Sequence, residues 1–133
     1  MAFYLDTSAA VKLVLGEPSS RAMTKWARVH AERVISCDLL RTELLRATRR
    51  GAPDQMPRAR AILDSITLLS LPSTTFERAA ELEPAGLRSL DAVHLAAALE
   101  LGDELDGMVT YDDRLAAASA LHGVTVVSPS RPR

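Results

Sequence analysis

The sequence predicts an α/β domain in which a five-stranded parallel sheet is covered by helices on both faces. Short apolar runs alternate along the chain with segments whose apolar residues recur at helical spacing. Strands separated by helices run parallel and need helical cover on both sides. The 133 residues, 47% of them hydrophobic, suffice for one core without disulfides or a structural metal. No repeat, linker or second domain is evident. Residues 1–128 are therefore expected to form one domain, and residues 129–133, at the Ser- and Pro-rich end of the chain, a disordered tail.

The run Ala2 to Leu5 stops at Asp6, so it reads as a buried strand that presents a carboxylate where the next helix begins. A short helix over 7–15 ends at Gly16-Glu17-Pro18, and Ser19-Ser20 can cap a second helix reaching about His30. Ala22, Met23, Trp26 and Val29 recur at helical spacing there, which assigns Trp26 to the core or to a subunit contact. Val34 to Ser36 is a second strand. A long helix runs from about Asp38 to Arg50 and stops at Gly51-Ala52-Pro53. A helix over 57–65, a strand from Ile66 to Leu71 closed by Pro72, and a helix over 74–84 follow. Leu90 to Leu101 is apolar on nearly every side except for Asp91, His94 and Glu100, as expected of a helix buried in the centre of the domain. Gly102 and Gly107 bracket an acidic loop. Met108 to Tyr111 is a fourth strand ending at Asp112-Asp113, followed by a helix from about Arg114 to Leu121 and, after Gly123, a fifth strand from Val124 to Val127.

Composition narrows the function before any motif does. Cys37 is the only cysteine, which excludes an intrachain disulfide and a cysteine-rich metal site and agrees with a reducing, cytoplasmic setting. No apolar run reaches membrane-spanning length, so a soluble protein without membrane contact is expected. Net charge is −1, yet residues 41–60 hold six arginines against Glu43 and Asp54, while residues 77–106 hold eight acids against Arg78 and Arg88. The basic stretch can face phosphates or serve as a solvated helix face.

Four acids stand out by position. Asp6 and Asp112 fall at C-terminal ends of strands, where parallel α/β sheets open their ligand crevice. Glu43 projects from the apolar arc of Leu39, Leu40, Leu44 and Ala47, and Asp91 projects between Leu95 and Ala98. An ionised carboxylate in such surroundings costs several kcal/mol unless a positive group meets it. Local explanations exist for each: Glu43 can pair with Arg46 or Arg50, Asp91 can favour its helix N-terminus, and Asp6 and Asp112 can be N-caps. If all four converge, they repel one another unless a divalent cation is bound, and an all-carboxylate set favours Mg²⁺ or Mn²⁺ over Zn²⁺. Neutralising Glu43 or Asp91 is then expected to stabilise the metal-free protein.

Asp6-Thr7-Ser8 after an apolar strand, Arg41-Thr42-Glu43-Leu44-Leu45-Arg46-Ala47 on the third helix, Leu90-Asp91-Ala92-Val93-His94-Leu95-Ala96 on the buried helix and Val109-Thr110-Tyr111-Asp112 at the fourth strand together resemble the PIN-domain proteins, specifically the VapC-type toxins of type II toxin-antitoxin pairs. Each motif is short, but the four in this order cover essentially the whole chain. The resemblance implies a PIN-like three-layer α/β/α fold with a five-stranded parallel sheet. It also implies a Mg²⁺- or Mn²⁺-dependent endoribonuclease that inhibits translation and growth, a cognate VapB-type antitoxin and a homodimer. Position by position, the family's catalytic, metal-holding acids fall on Asp6, Glu43, Asp91 and Asp112, with supporting hydroxyls at Ser8 and Thr110. Asp113 is assigned to helix capping or a minor site role, and His94 to a packed, hydrogen-bonded place in the core.

In that reading Asp6 and Asp91 are the main ligands, Glu43 a ligand or water-orienting base, and Asp112 a second-metal or water-mediated ligand. Lys12, Arg46, Arg49, Arg50 and Arg88 are the candidates for the RNA backbone. The helices around Trp26 and Met56 are expected to supply the homodimer surface. Two rival classes remain. A response-regulator receiver would want paired acids after the first strand and a Lys after the fifth, where this chain has Asp6-Thr7 and Ser128-Pro129. A non-catalytic RNA-binding or interaction domain on the same fold is separated from the enzyme by metal-dependent cleavage.

Overall fold

The first strand lies at the centre of the sheet. In the computed structural model, which describes residues 1–130, β1 (Ala2–Leu5) pairs in parallel with β2 (Val34–Cys37) on one side and β4 (Leu105–Val109) on the other. With β3 (Thr67–Leu69) and β5 (Val126–Val127) at the edges, the order is β3-β2-β1-β4-β5, all parallel. This is the α/β architecture with a five-stranded parallel sheet expected above.

Side chains alternate across the sheet and sort the helices into two layers. Leu5 and Val109 face a core with Leu40, Leu44 and Met23, covered by α1 (Thr7–Lys12), α2 (Ser20–Val29), α3 (Leu39–Gly51) and α4 (Met56–Ser65). Tyr4 and Met108 face the opposite core with Leu95 and Leu115 from α6 (Ser89–Leu99) and α7 (Asp113–Leu121), and α5 (Ser73–Glu81) packs along α6. Burial of each such Leu contributes about 1.5–3 kcal/mol. With both faces covered, the inner strands can be apolar throughout.

The chain builds outward from β1 through β2 to β3, then crosses to the other side of β1 for β4 and β5. The direction of winding therefore reverses between β1 and β4, where the crevice of an open α/β sheet lies. Leu5 is paired with Val109, and the Asp6 N–H donates to the Val109 carbonyl at 3.2 Å.

Several boundaries differ from the expected ones. The first helix stops at Lys12 and continues only as turns, and α5 ends at Glu81, before the Pro84 break. The edge strands β3 and β5 are shorter than their apolar runs. Most informative is β4, which starts at Leu105 and not at Met108. Asp106 disguised this strand as a loop; it forms an ion pair with Arg33. Trp26 packs edge-on against Phe3 with ring centroids 5.0 Å apart, and the more exposed large apolar side chains are Met1, Val29, Phe76, Leu90 and Leu121. Of the expected tail, Pro129 accepts a hydrogen bond from the Tyr111 hydroxyl at 2.9 Å, and residues 131–133 lie outside the described residues.

Gly107 sits inside β4 because the chain passes too close for a side chain: a Cβ there would lie 3.0 Å from Val127 Cγ2 and 3.1 Å from the Thr125 carbonyl oxygen. Gly107→Ala should destabilise by about 1–3 kcal/mol in chemical denaturation. Gly86→Ala, where nothing lies within 4 Å, should be near neutral. Equal stabilities would show that the β4–β5 approach is not tight.

Candidate active site

Asp6 ends β1 and caps α1, accepting the Ala9 N–H at 3.0 Å. A cap engages one oxygen; this carboxylate is 3% exposed and has both engaged. Ser8 Oγ approaches Oδ1 at 2.8 Å and Oδ2 at 3.0 Å, and Thr110 Oγ1 donates to Oδ2 at 2.8 Å. The same hydroxyls accept the N–H groups of Tyr111 and Asp112, which ties the loop after β4 to the end of β1. Burial pushes the Asp6 pKa up to about 6, against the pull of these hydrogen bonds.

Glu43 reaches the site from α3. Its Oε1 accepts from Thr7 Oγ1 at 2.8 Å and lies 2.6 Å from His94 Nε2. Neither Arg46 nor Arg50 is its partner. Burial raises the Glu43 pKa, but the His94 hydrogen bond and charge and the Thr7 hydroxyl outweigh it and hold the carboxyl below its usual range. For His94, burial is likewise opposed by hydrogen bonds to Cys37 and Glu43, which carry its pKa up to about 10. The sign expected for Glu43 changes accordingly: neutralising it relieves some repulsion of Asp91 but removes the His94 and Thr7 contacts, and a net loss of stability is expected. Only Asp91 keeps the expectation of a gain.

Asp91 lies in the first turn of α6, half-buried. Burial and then the charge of Asp112 raise its pKa, Arg88 and His94 lower it, and Glu43 raises it again. Asp112 caps α7 by accepting the Leu115 N–H at 2.9 Å. Arg88 bridges the two acids, with Nε 3.5 Å from Asp91 and Nη2 3.3 Å from Asp112, but its own side chain is 66% exposed, so solvent screens the bridge. Asp113 is the exposed first residue of α7; the capping assigned to it is done by Asp112.

Four acids around one strand crossing, carried on β1, α3, α6 and the β4–α7 turn, invite comparison with known proteins. The model of the PIN domain family matches residues 3–121. The chain belongs to the PIN-domain family. It is 40% identical over 134 residues to Ribonuclease VapC47 of Mycobacterium tuberculosis (strain CDC 1551 / Oshkosh), with 98% of each chain covered. To Ribonuclease VapC46 of M. tuberculosis (strain ATCC 25618 / H37Rv) it is 40% identical over 129 residues, covering 97% of this chain and 98% of the other. Among solved structures, M. tuberculosis VapC20, described as a sarcin-ricin loop cleaving toxin, superposes with a TM-score of 0.80 at 17% identity over 96% of this chain and 100% of that one. A toxin-antitoxin complex from Klebsiella pneumoniae gives 0.75 at 20% identity over 99% and 100%. These last two establish likeness of fold.

A PIN domain with these acids invites a divalent cation. Among the described residues, no three His, Cys, Asp or Glu side chains stand close enough to hold a metal ion. Glu43 is drawn toward His94, Asp112 is engaged by its cap, and Arg88 lies across Asp91 and Asp112. The donor chemistry nevertheless fits a hard cation. Asp6 and Asp91 both have raised pKa values, Asp91 partly through the other acids, and all the donors are oxygens. Gathering them on one ion requires side-chain rotation and the departure of Arg88.

The PIN domain places the expected RNA contacts unevenly. Arg88 is at the acids, while Arg46, Arg49 and Arg50 are exposed along α3 beyond Glu43. Lys12 pairs with Glu17 at 3.4 Å and lies 5.2 Å from the Tyr111 ring centroid. It also opens a groove of about 550 Å³ with Arg21, Lys25 and Arg28 of α2 and Arg58 of α4, which sequence reasoning missed. The signal was present: these α2 cations recur at i, i+4 and i+7. Also missed were the contacts of Thr7 and His94 to Glu43, which join residues 36 and 51 positions apart.

The raised Asp6 pKa has a consequence for stability. An unfolded Asp loses its proton near pH 3.9, whereas the folded group keeps it to about pH 6. Ionised Asp6 thus opposes folding, a cost absent below about pH 4 and complete above about pH 6. In EDTA, Asp6→Asn should gain on the parent by on the order of 3 kcal/mol between pH 4 and pH 7. Parallel stability–pH curves would contradict the raised value.

Proposed function

We propose that this PIN domain is the toxin of a toxin-antitoxin pair, an endoribonuclease that hydrolyses RNA phosphodiesters with Mg²⁺ or Mn²⁺. The observation that carries the reading is the buried, raised-pKa Asp6 at the β1/β4 crevice, together with a second raised carboxylate, Asp91, that feels Asp112 and Glu43. The names of the relatives, ribonucleases VapC47 and VapC46, support the reaction class.

Asp6 and Asp91 would hold the ion, with Asp112 as a water-mediated or second-ion ligand. When bound, it would acidify a water and offset charge on the phosphate. Ser8 and Thr110 hold Asp6 in place through both its oxygens. Glu43 is kept ionised and has Oε1 engaged, which would leave Oε2 to bind the ion or to accept a hydrogen from the attacking water. Arg88, once off the acids, would meet the scissile phosphate.

The RNA backbone would run from Arg88 over the groove of Lys12, Arg21, Lys25, Arg28 and Arg58, with Arg46, Arg49 and Arg50 as a second basic surface. With few aromatic residues in the chain, RNA shape and polar contacts would decide the target. Cleavage would act in the cytoplasm, halting translation and growth until a VapB-type antitoxin covers the toxin; the antitoxin and a homodimer rest on the resemblance to VapC-type toxins.

Purified protein should cleave members of a structured RNA panel with Mg²⁺ or Mn²⁺ and not in EDTA, and Asp6→Asn should abolish cleavage while remaining folded. RNA binding without cleavage in any metal would establish the non-catalytic alternative. Neutralising Arg21, Lys25 and Arg28 together to Gln should lower the slope of log affinity against log salt by about 2. An unchanged slope, with loss only in the Arg46, Arg49 and Arg50 triple variant, would move the RNA onto α3.

A further inference from the structure

We infer that His94, backed by Tyr4, is a positioning residue for the acidic site: its Nε2–H holds the Glu43 carboxylate by one oxygen and leaves the other directed to the site. This rests on the reading of Glu43 as a site acid. His94 is 1% exposed and stands one turn after Asp91 on α6. Its Nε2 lies 2.6 Å from Glu43 Oε1, and its Nδ1 lies 2.8 Å from the hydroxyl of Tyr4, a fully buried residue of the central strand. Thr7 Oγ1 holds the same Oε1 from α1 at 2.8 Å. The contacts thus join β1, α1, α3 and α6 around one carboxylate oxygen.

A histidine that merely fills the core needs its ring nitrogens satisfied by whatever is near. Here both are committed to side chains, and Cys37 Sγ at 3.8 Å closes the Nδ1 side. The ionised Glu43 carboxylate can only accept, so the neutral ring carries its hydrogen on Nε2 and takes the Tyr4 hydroxyl hydrogen at Nδ1; the charged ring carries a hydrogen on Nε2 as well, with its Nδ1–H donated to the Tyr4 oxygen. Either way the Nε2–H meets Glu43. A free glutamate samples many rotamers, and ordering it on ligand binding costs affinity; an oxygen fixed beforehand removes part of that cost. Because Asp91 and His94 share one helix face, α6 supplies one acid and orients a second.

Mn²⁺ affinity of the RNA-free protein, by calorimetry, tests this together with kcat and KM on a cleaved RNA. His94→Met, which keeps bulk and loses the donor, should weaken Mn²⁺ binding by about 10–100-fold and lower kcat with KM for RNA unchanged. His94→Gln, which keeps an N–H at similar reach, should recover most of the loss. Tyr4→Phe, which keeps the packing, should show a smaller loss of the same kind and decides the matter if His94→Met does not fold. A purely packing role would lower Tm in these variants and leave Mn²⁺ affinity at the parental value, which would overturn the inference. Imidazole ¹⁵N NMR of the metal-free parent gives a readout independent of activity: Nε2 should be protonated, with a resonance that moves in Glu43→Gln. An unprotonated Nε2 overturns the inference. If the parent binds no Mn²⁺, the metal-dependent function fails while this spectrum still decides the His94–Glu43 contact.

Discussion

A carboxylate buried at the end of the central strand is the constraint to which the surrounding structure responds. Left alone in apolar surroundings, Asp6 would cost several kcal/mol when ionised. The fold answers with a short helix N-terminus, two hydroxyls from different strand ends and the crevice between β1 and β4, and still leaves its pKa near 6. Stability alone would be served as well by a serine or an asparagine at this cap. Retaining a charge that opposes folding makes sense where the charge is met by something the folded state binds.

The other acids divide into two electrostatic kinds. Glu43 is a stabilised carboxylate, held low by His94 and Thr7, with one oxygen committed to protein contacts. Asp91 is a strained one, raised by burial and by Asp112, and offset by an arginine that is mostly in solvent. That division suits a site in which one acid is oriented before any ligand arrives and others wait for a cation. The exposed Arg88 is the natural stand-in: it lies where positive charge is wanted and can leave at little cost, since exposed ion pairs are worth at most about 1 kcal/mol.

Much of this was legible in the sequence. The alternation of apolar runs and helical segments gave five strands and the parallel sheet, because a doubly covered strand must be apolar on both faces, as Tyr4 and Leu5 are. Motif order led to the PIN family, and Asp91 feels the charges of Asp112 and Glu43 across the fold. What escaped was non-local. Asp106 made β4 look like a loop because its partner, Arg33, is 73 residues away, and Gly107 looked like a loop marker although it is required by contact with β5. Glu43 was read against its helix neighbours Arg46 and Arg50 because helical spacing is all that one sequence displays; its true partners, Thr7 and His94, come from two other helices. The basic groove escaped because Arg58 joins α2 only through the packing of α4.

The carboxylates with raised pKa values, Asp6 and Asp91, suit a site built for a cation. Thermal unfolding of the parent and Asp91→Asn, each in EDTA and in Mg²⁺ or Mn²⁺, tests this claim most directly. Near-isosteric neutralisation relieves the repulsion from Asp112 and Glu43, so Asp91→Asn should melt higher than the parent in EDTA. Metal should raise the parent's Tm by selective binding to the folded state and raise the variant's much less. An Asp91→Asn protein that melts lower in EDTA and keeps the parent's full response to metal would contradict the claim.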